Sequence, residues 1–217
     1  MGVEGVAGLL VAVAVVCLGV SAWLFFRESW FLQWLRGTAG FLLLVIAGYV
    51  SLLAASLFHY QPVPDGKPLA TLSFEAAGPQ KWRVTLTEAN GNRRDYDLLG
   101  DLWQLDVRLL RYSGFGSMFG SGASFELERL SGRYLSVEDE AGKDHADYQL
   151  LSEPLFGFDL WQRATDHGSL IVTPTRSNVA LVPTGDGAIF EVVLGDAGLQ
   201  LAAGNAAAGD ALKRISD

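Results

Sequence analysis

Two uninterrupted apolar runs at the N-terminus restrict this chain more than any other feature. From Gly5 to Phe26 no side chain can ionise except Cys17, and from Gly37 to Tyr60 the run is uncharged until His59. At a rise of about 1.5 Å per residue, a helix of either length covers the roughly 30 Å hydrocarbon core of a bilayer. Lipid offers backbone amides no partners, so such runs are satisfied as helices. The sequence therefore predicts a transmembrane helical hairpin over residues 1–60, with spans at 5–26 and 37–60.

A cleaved leader fits the first run poorly. Val20-Ser21-Ala22 resembles a cleavage site, but the preceding tail, "MGVE", carries Glu4 and no Lys or Arg. Cys17 follows Val15 and Val16 and reads as a plain membrane cysteine rather than a lipidation site.

The interruption, "FFRESWFLQWLRG", places Arg27 and Arg36 around Trp30 and Trp34, with Trp23 just before. Cytoplasmic loops are enriched in Lys and Arg, and Trp gathers at headgroup depth. The stretch is thus expected to be a short cytoplasmic turn, Arg27 and Arg36 acting as topology determinants. Both termini then lie on the far side, which at a bacterial inner membrane is the periplasm. Gly8 and Ala12 in the first span, and Ala47, Ser51 and Ala55 in the second, set small residues on one helical face. Such faces let backbones approach closely, here for packing within the hairpin, against a partner's helix, or in self-association.

Past the second run, "QPVPDGKP" reads as a linker over 61–68. Residues 69–202 then make one domain of ordinary size, and 203–217, "AGNAAAGDALKRISD" from Ala203, reads as a flexible tail. Residues 61–217 hold 14 Lys and Arg against 22 Asp and Glu, so the chain's net charge of −8 belongs to this part. That balance argues against nucleic acid as a partner, because phosphate binding needs a basic footprint. No cysteine occurs there, so the domain is held by its core.

The local pattern is mainly strand. "WRVTLTEANGNRRDYDL" sets Trp82, Val84 and Leu86 on one face, turns at Asn90-Gly91 and returns through Tyr96 and Leu98, a hairpin pattern. In "LWQLDVRLLRY", Trp103, Leu105, Val107 and Leu109 alternate with Gln104, Asp106 and Arg108, which predicts one buried and one wet face. Further runs at 70–75, 124–130, 169–173, 179–182 and 188–194 are each bounded by turn residues. Many short strands with close turns predict an antiparallel β-sandwich or partly open barrel. One short helix is expected in "SEPLFGFDLWQRATDHG", capped by Ser152, with Pro154 in its first turn and Gly168 at its end.

No motif points to catalysis. "GFGSMFGSG", Gly114–Gly122, lacks the Gly-Lys-Ser of a phosphate loop and is followed by a strand pattern. Its Phe115, Met118 and Phe119 are instead candidates for contact with membrane or a partner. Gly122-Ala123-Ser124-Phe125 runs into Glu126 where a nucleophile elbow needs glycine. "EDEAGKDHAD", Glu138–Asp147, gathers carboxylates around His145 without the ligand spacing of a calcium loop, and reads as a solvated hairpin tip.

Three strings, "GDLWQLDVRLL" (Gly100–Leu110), "FELERLSGRY" (Phe125–Tyr134) and "SNVALVPTGDGAIFEVVLGDAGL" (Ser177–Leu199), carry a resemblance. With the two apolar runs, they make the chain similar to a family of small bacterial two-span membrane proteins that carry the name cation/multidrug efflux pump or multidrug transporter. The resemblance implies membrane location and an association with transport, and it assigns no catalytic, cofactor or metal residue. A pump needs a path and coupling groups in its membrane segments, and these spans offer only Cys17 and the terminal His59. The expectation is therefore a non-enzymatic inner-membrane protein without cofactor or metal. Its periplasmic β domain would scaffold or bind another membrane or periplasmic protein, as an accessory subunit of a transporter. A small-ligand or lipid-binding domain on a membrane anchor is the alternative.

Overall fold

The computed structural model describes residues 13–23, 28–64, 66–114, 122–195 and 198–216. The chain divides into two compact units, Met1–Leu53 and Ala54–Asp217. The first contains helix α1 (Val13–Trp23) and most of α2 (Glu28–Leu57). From Trp30 to Leu57, α2 is long and apolar enough to cross a membrane. Its large side chains are exposed from Trp30 to Val50, Phe41 at 69% and Leu44 at 72%.

Helix α2 begins before the second apolar run. Residues 28–36, assigned to a turn, are helical, because nothing between Glu28 and Arg36 is Gly or Pro and the run favours the continuing helix. Arg36 thus sits inside α2, while Arg27 lies outside the described residues. Ser51 spends its hydroxyl on its own helix, donating to the Ala47 carbonyl at 2.8 Å. Ala47 and Ser51 are exposed and Ala55 is half-buried, while Gly8 and Ala12 lie outside the described residues.

The second unit is mainly β, built from two antiparallel sheets. Sheet A comprises β1 (Gln61–Pro62), β5 (Leu102–Tyr112), β6 (Ala123–Arg133), β7 (Asp147–Gln149) and β8 (Val172–Pro183), in the order β1-β6-β5-β8. Strand β7 also pairs with β6, at Arg129–Ser131, beyond the Ser124–Phe125 stretch that pairs with β1. Sheet B runs β10-β9-β2-β3-β4, from β2 (Ala70–Gly78), β3 (Lys81–Glu88), β4 (Arg93–Leu99), β9 (Ile189–Gly195) and β10 (Gly198–Ala203).

The β3–β4 hairpin turns where Asn90-Gly91 predicts it, Gly91 taking the positive φ of 86° that a side chain would oppose. Alternation then decides the packing. Leu72 and Phe74 of β2, Val84 and Leu86 of β3, and Trp103, Leu105 and Val107 of β5 point between the sheets and are buried. Phe74, Trp103 and Phe190 form the aromatic centre, with ring centroids 5.3–5.6 Å apart. Where the β4–β5 turn crosses β6, a Cβ at Gly132 would overlap the Leu99 carbonyl, so only glycine fits.

Two further segments depart from expectation. The linker over 61–68 is partly sheet: Gln61–Pro62 pairs with β6, and the Val63 amide donates to the Ala123 carbonyl at 2.9 Å. The C-terminal segment assigned to a flexible tail forms helix α5 (Ala206–Ser216), with Ala208 and Ala211 fully buried in the core. The Asn205 side chain fixes its start, accepting from the Ala208 amide at 3.0 Å and donating to the Gly187 carbonyl at 2.6 Å.

Candidate functional site

The outer face of sheet A is where the structure departs most from simple alternation. Asp106 and Arg108 point away from the sandwich core, as their register requires, yet both are buried. Three devices produce this.

The first is helix α4 (Leu160–His167), which lays Leu160, Trp161 and Ala164 inward. Its cap is Asp159 rather than Ser152, because a 3-10 turn at Leu155–Gly157 intervenes. Asp159 serves twice: one oxygen accepts from the Gln162 amide at 3.2 Å, the other from Arg108 Nη1 at 2.7 Å. The second is a β-bulge in β6. Val107 faces Leu127 while Asp106 faces Arg129, so Glu128 is the extra residue. The bulge lets consecutive side chains serve the same outer face, Glu128 toward Arg108 and Arg129 toward Asp106. The third is the end of α2, where Ser56 accepts the otherwise unpaired Leu160 amide at 3.1 Å and Tyr60 is buried.

Together these make a charged lattice. Arg108 Nη2 lies 3.3 Å from Glu128, which also receives a two-pronged bond from Arg176 at 2.7 and 2.8 Å. Arg129 grips Asp106 at 2.8 and 3.0 Å, and Gln104 adds a third donor to that carboxylate at 2.7 Å. The Trp161 ring carries the Arg108 guanidinium at 4.7 Å and that of Arg176 at 5.1 Å. Hydrogen bonding and the charge of Asp159 outweigh the cost of burial and hold Arg108 more firmly protonated than a free arginine.

Two hollows flank the lattice. One is an open cleft of about 370 Å³ over the middle of sheet A, lined by Gln104, Asp106, Arg129, Gln149, Arg176 and Asn178. The other, about 90 Å³, lies at the foot of α2 among Ser56, His59, Tyr60, Arg108, Glu126 and Asp159. There burial pushes the Glu126 carboxyl above the usual range, against the opposing pull of the Ser152 amide, His59 and Arg108. Burial likewise pushes the Tyr60 hydroxyl up. That hydroxyl lies close enough to Arg108 to feel its charge but makes no hydrogen bond of ordinary geometry.

Phe115, Met118 and Phe119 lie outside the described residues. The carboxylate-rich stretch around His145 forms a short helix, α3 (Val137–Gly142), capped by Ser136. Two of its acids are paired, Asp139 with Lys143 and Glu140 with His145 and Arg133. The backbone amide of Tyr134 holds the Glu140 carboxyl below the usual range, more than His145 and Arg133 do. Among the described residues, no three His, Cys, Asp or Glu side chains converge as metal ligands would.

Neither hollow was visible in the strand pattern, because alternation shows which face meets the core and not whether a second layer covers the other. The amphipathic "DLWQRA", Asp159–Ala164, was the available signal that something packs outside the sheet. No family model matches the chain, and no curated protein or solved structure matches it.

Proposed function

We propose that this chain is a membrane-anchored binding module: α2 crosses a bilayer and carries a β-sandwich whose sheet A presents its charged face to another envelope protein. The observation that carries the reading is α2 itself, an apolar helix with its side chains exposed that runs directly into a folded unit. The distance from Gly37 to Leu57 corresponds to a rise of about 30 Å, the thickness of the hydrocarbon core. Arg36, Trp30 and Trp34 then sit at one interface and Tyr60 at the other, an arrangement that supports a cytoplasmic Arg27–Arg36 stretch and a periplasmic sandwich.

The sheet A face suits a protein better than a small ligand. Small molecules favour concave, mostly apolar pockets, whereas the 370 Å³ cleft is open and polar. Arg176, half exposed and already held against Trp161 and Glu128, is a preorganised arginine of the kind that anchors interfaces. The resemblance to two-span proteins named for efflux supports a transporter as the partner, with this chain as a non-enzymatic accessory. A photo-crosslinking residue at Asn178 tests the reading, with Glu75 on sheet B as control. A discrete adduct from Asn178 alone is expected in native membranes. Equal adducts from both positions, or none, would overturn it.

A further inference from the structure

The small cavity at the foot of α2 has a charge and a hydrogen-bonding capacity that its own residues leave unmatched. Arg108 is shared between Asp159 and Glu128. Glu126 has no ion pair among the described residues, and its Oε1 accepts only the Ser152 amide, at 3.2 Å. The lining groups Arg108, Glu126 and Asp159 sum to one net negative charge. Tyr60 is only 9% exposed, and its hydroxyl has no partner. A half-buried carboxylate without an ion pair of its own and a buried hydroxyl without a hydrogen-bond partner are both costly. One group relieves both: a compact cation that donates several hydrogen bonds.

The cavity's address narrows the source. Ser56, His59 and Tyr60 immediately follow the apolar stretch of α2, so a helix that crosses a bilayer delivers them to headgroup depth. Phe58, next to His59 in the chain, is 87% exposed, and Phe156, two residues past Pro154 of the cavity lining, is 89% exposed. Phe156 also holds a left-handed backbone, φ 51° and ψ 28°, which an aromatic residue adopts only at some cost. Two exposed aromatic rings within two residues of the lining suit a boundary between headgroups and acyl chains.

We propose that this cavity binds the primary ammonium of an ethanolamine phospholipid headgroup. The inference rests on the reading of α2 as a membrane span. Three N–H donors would satisfy the second oxygen of Glu126, the Tyr60 hydroxyl and a serine hydroxyl, Ser56 or Ser152. A volume of about 90 Å³, some three waters' worth, admits an ammonium and its first carbons. His59, also in the lining, is available to the phosphate that trails the ammonium by two carbons. A choline headgroup fails on two counts, since it has no N–H donor and its three methyl groups widen it.

The test uses the full chain in nanodiscs holding equal ethanolamine and choline phospholipids, with retained lipid read by native mass spectrometry. Ethanolamine lipid should be retained about tenfold over choline lipid, with the preference falling at each added N-methyl group. Glu126→Gln should abolish the preference and Tyr60→Phe should reduce it. No preference, or one indifferent to both substitutions, would overturn the proposal. So would full displacement by free ethanolamine, which would identify a soluble amine as the ligand. Alkaline carbonate extraction separates the two failures. A chain that stays in the membrane without the preference overturns this proposal alone, whereas a chain that is released overturns the span and the proposal together.

Discussion

Removing the Arg108 charge is a demanding probe of the sheet A lattice. Arg108→Met keeps an unbranched stem of similar length against Trp161 and deletes the guanidinium. The bond to Asp159 at 2.7 Å is lost outright, and bonds to charged groups contribute about 1.5–3 kcal/mol each. The loss at Glu128 is smaller, because Arg176 retains its two bonds there. The stack on Trp161 contributes about 1 kcal/mol more. Against these, the substitution removes a buried Nε that has no partner, which returns about 1 kcal/mol. The net expectation is a loss of about 2–3 kcal/mol, short of the roughly 3–5 kcal/mol for breaking a fully buried pair, since Asp159 is partly solvated. Urea unfolding of the Ala54–Asp217 unit, followed by tryptophan fluorescence, should show the midpoint falling by about 1 M. A double-mutant cycle with Asp159→Asn should return a coupling of about 1–2 kcal/mol. A change within about 0.5 kcal/mol, with no coupling, would refute the claim that this lattice holds α4 to the sheet.

Three other substitutions probe separate features by the same unfolding measurement. Gly132→Ala should cost about 3 kcal/mol, because the new methyl group meets the Leu99 carbonyl and the turn must shift; a neutral result would mean the crossing is looser than described. Ala211→Glu should cost at least about 3 kcal/mol by forcing a charge into the core, whereas a frayed tail would tolerate it without change. Glu126→Gln should stabilise the unit at neutral pH and lose that advantage in acid. The folded-state pKa of Glu126 is raised by burial, so the native protein binds more protons than the unfolded chain between the two pKa values, and wild-type stability falls as pH rises through that window. Midpoints for both proteins at about pH 4 and about pH 7 check the sign. A gap that narrows toward neutral pH would contradict it.

Much of the sandwich was legible because its strands obey short-range rules. Asn90-Gly91 fixed one hairpin, and the alternation of Trp103, Leu105 and Val107 identified the core face of β5. What escaped depended on neighbours distant in sequence. Arg108 reads as a wet residue until α4, fifty positions on, closes over it. Glu128 and Arg129 look like ordinary alternating polar positions, and only the pairing with β5 reveals the bulge that gives both to one face. The segment after Gly204 looked frayed because it is rich in Ala and Gly, yet small side chains are what let α5 lie close on the core. The Asn205 cap and the spacing of Ala208 and Ala211 were the local signs. At the other end, the charges of Arg27 and Arg36 suggested a turn, but nothing between Glu28 and Arg36 opposes a helix.

The central claim, that α2 lies in a bilayer, is tested most directly by thiol accessibility. With the chain's lone cysteine removed as Cys17→Ser, Leu44→Cys places a thiol on a helix position 72% exposed in the protein itself. Arg83→Cys on an exposed sheet B position serves as the reference. In membranes opened to reagent on both sides, a charged maleimide should label the residue 83 thiol at once and leave residue 44 unlabelled until detergent is added. Prompt labelling at residue 44 without detergent would mean that water, not lipid, surrounds α2, and would contradict the account.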